Sequence, residues 1–107
     1  MIIYLLLVHW LADFVFQSNY MAQNKSKNIK ALGYHSFIYT LVLFVATIAG
    51  GWLWATVNGI LHFIIDYFTS KINTSLLEEK RTHGFFVSVG FDQFLHISIL
   101  LLTGGLL

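Results

Sequence analysis

Apolar residues dominate four long segments of this sequence, and the length of these segments restricts what the chain can fold into. Each is close to the about 20 residues that a helix needs to cross a lipid bilayer. Hydrophobic residues make up 57% of the chain and charged residues 10%, whereas soluble domains carry about 25% charged residues. We therefore expect an all-α fold, with residues 1–107 forming one integral membrane domain built as a four-span transmembrane helix bundle. The predicted spans are residues 2–20, 32–49, 52–72 and 83–102.

The basic residues predict how the spans are oriented. All six lie within or beside two connecting loops, residues 21–31 and 73–82, and the turn between the second and third spans carries no charge. Loops rich in lysine and arginine stay in the cytoplasm, so we expect both loops there and both termini on the opposite side. A net charge of +1 without a basic face argues against nucleic acid as a partner. The six residues are Lys25, Lys27, Lys30, Lys71, Lys80 and Arg81.

Three of the predicted spans contain a histidine and an aspartate four residues apart, a spacing that places both on one face of a helix. An aspartate at the centre of a membrane helix costs about 2.5–3.5 kcal/mol. The remaining span carries His35, and all four spans place these groups at a similar depth in the cytoplasmic half of the bilayer. Because ionisable groups avoid the lipid, we expect them to meet inside the bundle. The pairs are His9 with Asp13, His62 with Asp66, and Asp92 with His96.

A buried set of imidazoles and carboxylates favours a divalent metal centre. Zinc, manganese and iron all accept these donors, zinc is the ion we favour, and the absence of cysteine excludes thiolate ligands. The candidates outnumber the four ligands of one tetrahedral zinc ion. Either two ions therefore share a bridging carboxylate, or one ion binds and the other groups support it. The predicted ligands are His9, Asp13, His35, His62, Asp66, Asp92 and His96, of which Asp13 and Asp66 are also the catalytic candidates, and the supporting residues are Gln17, Asn58 and Gln93.

A metal centre near the cytoplasmic surface predicts hydrolysis. A bound divalent ion can supply an activated water as the nucleophile, and an aspartate beside it can act as general base. Substrates would reach such a site from the cytoplasm or from the lipid. The expected substrate is therefore an ester, amide or phosphoester of an amphipathic or lipid-like molecule, and the residues alone do not choose among these three.

The first and third spans also resemble each other. When His9–Asp13 is superposed on His62–Asp66, the stretch VHWLADFV aligns with LHFIIDYF, and the shift is about half of the chain. The second members of the two hairpins match poorly, since His35 then falls on Ser88. This echo predicts two repeated helical hairpins, with the first and third spans as equivalent helices.

Several of these motifs together resemble a known family. The stretches HWLADFVFQ, YHSFIYTL, NGILHFIIDYFTSK and FDQFLH are similar to the DUF3307 family of small bacterial and phage membrane proteins. More loosely, the pattern resembles YdjM-like membrane-bound metal-dependent hydrolases. The first resemblance implies a multi-pass protein of the bacterial inner membrane and does not imply any particular activity. The second implies a metal-dependent hydrolase, as an analogy of pattern.

Other functions explain part of the same pattern. A His–Asp pair can be a structural hydrogen bond between helices, and a bundle of such pairs can conduct ions or protons. A non-enzymatic phage or host membrane effector is a further alternative, as is a haem or di-iron redox protein, although haem leaves the aspartates unexplained. The expected partners are the bilayer, a lipid-like substrate and, because four helices make a thin bundle, a second copy of the chain.

Overall fold

The computed structural model describes residues 2–47 and 51–107, and these residues are helical almost throughout, without a β-strand. The predicted all-α fold is confirmed. In chain order the elements are α1 (Ile2–Trp10), a π-helical segment that continues it (Leu11–Val15), α2 (Asn19–Asn24), α3 (Ile29–Ala46), α4 (Trp52–Glu78), α5 (Thr82–Leu102) and a short 3₁₀ turn (Gly104–Leu106).

The connecting segments are shorter and more helical than the sequence predicts. The loop predicted at residues 73–82 is wrong for most of its length, because α4 continues to Glu78 and only residues 79–81 connect it to α5. The stretch SLLEEK offers good helix formers and neither glycine nor proline to end the helix earlier. The loop predicted at 21–31 likewise contains the end of α2 and the start of α3. Residues 48–50, where the second predicted span and the turn after it meet, lie outside the described residues.

Local hydrogen bonds explain where several helices begin and end. The side-chain oxygens of Ser18 and Asn28 accept backbone N–H groups from the first turns of α2 and α3, as N-cap residues do. After α4, Lys80 adopts a left-handed conformation with φ of 59°, and the N–H of Arg81 donates to the carbonyl of Leu76. This Schellman closure turns the chain into α5.

Two of the described helices, α3 and α5, are long and apolar enough to cross a membrane. The first apolar helical stretch, Ile2–Val15, is shorter than the predicted span 2–20 because the helix is interrupted before α2. Polar side chains recur along α4, which is not among the candidate spans. Length and composition therefore support two spans in the described part of the chain, and the four-span arrangement stays a prediction.

The interior of the bundle is apolar in one half and polar in the other. The helices α3 and α4 cross closely, and a Cβ atom on Gly59 would overlap the side-chain oxygen of Thr40. On α1, α3, α4 and α5 the polar residues lie nearer to the ends that lead into the basic segments. The polar half therefore holds the candidate site. The apolar half consists of Leu5, Val8, Ala12, Tyr39, Leu43, Trp54, Ala55 and Leu100.

Candidate metal centre

Four side chains from three helical segments converge in the polar half: Asp13 from the π-helical segment, His35 from α3, and His62 and Asp66 from α4. The Nε2 atom of His35 lies 2.9 Å from Asp13 Oδ1 and 3.3 Å from Asp66 Oδ2. The Nε2 atom of His62 lies 3.5 Å and 3.1 Å from the same two oxygens. The two Nε2 atoms are 2.9 Å apart. We call these residues the four-ligand set, and none of them exposes more than 3% of its surface.

The geometry of the four-ligand set fits a metal ion. Ligand atoms about 2.0–2.2 Å from one tetrahedral ion lie about 3.3–3.6 Å from one another. The five distances given above are 2.9–3.5 Å, and all four ligand atoms lie within 4.8 Å of one another. Hydrogen bonds alone account for the set less well. His35 Nε2 faces two carboxylate oxygens and the Nε2 atom of His62 within 3.3 Å, although one imidazole nitrogen carries at most one hydrogen. Two imidazoles and two carboxylates are also donors that zinc, manganese and iron accept.

A second group shares Asp66 with the four-ligand set. His96 Nε2 lies 3.1 Å from Asp66 Oδ1 and 3.1 Å from Asp92 Oδ1, and these three side chains are also close enough to hold an ion. Asp66 therefore presents Oδ2 to the four-ligand set and Oδ1 to the second group. The hydroxyl of Thr69 donates to Asp92 Oδ1 over 2.7 Å. A carboxylate placed between two groups in this way can either bridge two ions or link one ion to its supporting residues.

Hydrogen placement on the histidines distinguishes these two cases. His62 Nδ1 lies 3.2 Å from His96 Nδ1, and a neutral imidazole carries one hydrogen. If the lone pair of His62 Nε2 faces an ion, its hydrogen is on Nδ1 and donates to His96 Nδ1. The hydrogen of His96 is then on Nε2, where it donates to the Asp66 and Asp92 carboxylates. In this arrangement His96 has no free lone pair for a second ion.

His9 lies beside the four-ligand set rather than in it. Its Nε2 atom is 2.6 Å from Gln93 Oε1, and its Nδ1 atom is 3.2 Å from the hydroxyl of Tyr39. The shortest ion-pair distance to Asp13 is 3.7 Å. Among the seven predicted ligands, His9 is thus the one that the structure does not bring into either group, and the other six are brought together.

The π-helical segment explains why His9 and Asp13 point to different partners. The N–H of Phe16 donates to the carbonyl of Leu11, five residues earlier, over 3.0 Å. Such a turn holds one residue more than an α-helical turn, and it changes the rotation between neighbouring side chains. The predicted His9–Asp13 pair is still present, but its closest approach is 3.7 Å. In α4, where the helix stays regular, the corresponding His62–Asp66 distance is 3.1 Å.

The three predicted supporting residues have different surroundings. Gln93 contacts the cluster, because its amide nitrogen lies 3.3 Å from Asp13 Oδ2 and 3.4 Å from Asp92 Oδ2. Asn58 instead donates to the hydroxyl of Thr103 and to a backbone carbonyl of its own helix, in the apolar half. Gln17 makes no hydrogen bond to the cluster within the described residues, and its side-chain oxygen is buried without a partner there.

Sequence reasoning missed three side chains at the site. The ring of Tyr39 stacks on His62 with a centroid distance of 4.0 Å, Thr69 binds Asp92, and Lys25 Nζ lies 3.5 Å from Asp66 Oδ2. Tyr39 lies four residues after His35 and Thr69 three residues after Asp66, so helical spacing could have identified both. Lys25 lies just beyond α2, and no periodic signal in the sequence points to it.

The fold and the site define a small all-helical protein with a buried histidine and aspartate cluster suited to a metal ion. The family model described as "Protein of unknown function (DUF3307)" matches residues 1–105. The chain belongs to the DUF3307 family, and the resemblance predicted from its motifs is confirmed. No curated protein and no solved structure matches the chain. The looser likeness to YdjM-like hydrolases stays a prediction.

Proposed function

We propose that this protein is an integral membrane hydrolase that uses one divalent ion, preferably zinc, to cleave an ester, amide or phosphoester bond of a lipid-like molecule. The observation that carries the proposal is the convergence of the four-ligand set, whose ligand atoms all lie within 4.8 Å of one another. Three buried carboxylates also need positive charge beside them, because desolvated charges are stable only when paired or bound to metal.

The distribution of side chains over the surface supports placement in a bilayer. The polar cluster is buried, whereas large apolar side chains face outward on the long helices, for example Ile3 at 81%, Phe37 at 64% and Phe94 at 62% exposure. A protein in water rarely exposes large contiguous apolar surface. We propose that α1 with its π-helical segment, α3, α4 and α5 are the four spans, with the basic connections in the cytoplasm.

The depth of the cluster agrees with a site near the basic side. Asp66 lies five residues before Lys71 on α4, which is about 7.5 Å along the helix axis. Lys25 reaches Asp66 directly from the other basic segment. A substrate in the cytoplasmic leaflet, or one in the cytoplasm, therefore has a short path to the four-ligand set.

The proposed reaction adds water across the scissile bond and releases an acid and an alcohol or amine. A bound divalent ion supplies a Lewis acid and an activated water. In this reaction His35, His62 and Asp66 would hold the ion and leave its fourth position to water. Asp13 would then accept a proton from that water, since its Oδ1 faces the set while the amide of Gln93 donates to its Oδ2. Asp66 would hold the ion without taking part in proton transfer, because imidazoles contact both of its oxygens and fix its orientation.

The metal content of the purified protein tests this proposal first. The protein is purified in detergent without added metal, and metal per chain is measured by mass spectrometry. We expect one equivalent in the wild type and none in His62→Ala/Asp66→Ala. A matched control, Glu79→Ala/His83→Ala, removes an exposed acid and an exposed histidine and should keep the metal.

The possible results distinguish metal binding from hydrolysis. A folded wild-type protein that binds no stoichiometric metal, even after metal is added back, would overturn the whole proposal. If metal is bound, the loaded protein is assayed against amphipathic esters, amides and phosphoesters. Hydrolysis that is lost in Asp13→Asn supports the enzyme, whereas a loaded protein that is inactive on all three classes would leave a structural metal site instead.

A further inference from the structure

A cavity of about 270 Å³ lies between the segment after α1, the end of α4 and the middle of α5, and it is lined by contact partners of the four-ligand set rather than by the set itself. Three of its lining residues, Lys25, Asp92 and Gln93, are also hydrogen-bonded within the cluster. Its remaining wall is mixed: Phe14 and Phe85 are apolar, and hydroxyl and amide groups lie between them. The cavity is therefore amphipathic, and its polar end is formed by side chains that contact the proposed metal centre.

Lys25 is the only cation among the described residues that line this cavity. Its side chain is 22% exposed, and its Nζ atom lies 3.5 Å from Asp66 Oδ2. The same oxygen belongs to the four-ligand set. The ammonium group therefore lies at the junction of the cavity and the set, where a substrate group attached to the scissile bond would also have to lie.

The partner of Lys25 in the structure is Asp66, through Oδ2 at 3.5 Å. Asp92 is already compensated by hydrogen-bond donors, namely the Thr69 hydroxyl at 2.7 Å and His96 Nε2 at 3.1 Å. A divalent ion held by the four-ligand set would share Asp66 Oδ2 with Lys25 and weaken this ion pair. Lys25 would then lie beside the cavity as a half-buried cation, and such a cation is costly without a nearby anion.

We infer that this cavity holds the phosphoryl group of the substrate, so that the hydrolysed molecule is a phosphate ester of an amphipathic alcohol. This inference rests on the proposed function and selects one of its three substrate classes. A neutral ester or amide gives Lys25 no anion, whereas a phosphoryl group gives it a charged, multidentate acceptor. The group needs roughly the volume of two to three water molecules, about 60–90 Å³. The rest of the cavity accommodates the start of an alkyl chain.

The proposed reaction is the hydrolysis of a phosphate ester by one water molecule. The oxygen of water forms a bond to phosphorus, the bond between phosphorus and the alcohol oxygen breaks, and the alcohol leaves with a proton. Lys25 binds a phosphoryl oxygen throughout and does not transfer a proton. The same phosphoryl chemistry occurs in a free phosphate ester and in a phospholipid headgroup, so the experiment includes both sources.

Binding of inorganic phosphate to the metal-loaded protein in detergent tests the inference. We expect calorimetric binding to the wild type, weaker binding by roughly 10- to 100-fold in Lys25→Met because a charge-assisted hydrogen bond is lost, and partial recovery in Lys25→Arg. Lys27→Met removes an exposed lysine from the same segment and is the matched control. Glycerol phosphate and micelles containing phosphatidic acid then compete with phosphate, and the stronger competitor identifies the source.

Each outcome decides a different claim. Equal phosphate affinity in the wild type and in Lys25→Met, with metal present in both, would overturn the role of Lys25. A metal-loaded wild type that binds acetate but not phosphate would overturn the phosphoryl assignment and leave the proposed hydrolase standing. A protein that binds no metal would refute the proposed function, and this inference with it. Metal content is measured on every variant, so a loss of folding cannot be mistaken for a loss of phosphate binding.

Discussion

Replacing His96 with glutamine tests how the two His/Asp groups contribute to the centre. If His62 Nε2 faces an ion, His96 accepts the Nδ1–H of His62 at 3.2 Å and donates to carboxylates at 3.1 Å. A glutamine side chain can do both, because its amide carries an acceptor oxygen and a donor nitrogen. We therefore expect His96→Gln to retain one metal ion per chain.

The expected loss of affinity is modest. Residues that orient a ligand without touching the metal contribute about 10- to 100-fold to metal affinity, which is about 1.4–2.7 kcal/mol. His96→Gln should lie at the low end of that range and His96→Leu, which leaves the His62 N–H without an acceptor, at the high end. His62→Gln removes an imidazole of the four-ligand set and should abolish stoichiometric binding.

Chelator competition with a chromogenic indicator measures these affinities, and mass spectrometry counts the ions per chain. Two ions in the wild type and one in His96→Gln would refute the reasoning, because His96 would then be a ligand and Asp66 a bridge between two ions. Equal, complete loss in His96→Gln and His62→Gln would also refute it. Circular dichroism in detergent confirms that each variant keeps its helices before affinities are compared.

Two further predictions concern the bundle. Gly59→Ala would place a Cβ atom against Thr40 Oγ1 and push α3 away from α4, which should lower the free energy of unfolding by about 1–3 kcal/mol. In thermal unfolding, the control Gly90→Ala should be neutral or stabilising because no atom lies within 4 Å of the added Cβ. Equal melting temperatures for the two variants would contradict the close packing of α3 on α4. The chain has no cysteine, so single cysteines can report the topology. Lys27→Cys should react with an impermeant maleimide only after cells are opened, whereas Gly105→Cys should react in intact cells. The reverse pattern would invert the proposed topology.

The helical class and much of the site follow from spacing in the sequence. Residues four apart share a face in a regular helix, and α4 and α5 are regular, so the His62–Asp66 and Asp92–His96 pairs each meet at 3.1 Å. The high cost of isolated charges in an apolar segment then requires the pairs to meet one another. These two arguments were enough to bring His35 into the same predicted site, although it has no partner on its own helix.

Other features depend on interactions that periodicity does not encode. The π-helical segment inserts one extra residue into a turn, and nothing in the letters LADFV distinguishes it from α-helix. It moves Asp13 into the four-ligand set and leaves His9 to bind Gln93 and Tyr39. The approach of Lys25 to Asp66 depends on how the chain folds between α2 and α3, and no local pattern specifies a loop of that kind.

The sequence similarity between His9–Asp13 and His62–Asp66 corresponds to similar positions of the two aspartates in the four-ligand set. Each copy contributes its aspartate to the four-ligand set, and the two carboxylates approach the same pair of imidazoles. Only one copy also contributes its histidine, and the second imidazole of the set is that of His35 from α3. The departure from symmetry frees His9 to hold Gln93, whose amide contacts Asp13. Imidazoles contact both oxygens of Asp66. In Asp13 they contact Oδ1, whereas the amide of Gln93 donates to Oδ2. This difference in partners is why the two similar aspartates are suited to different roles.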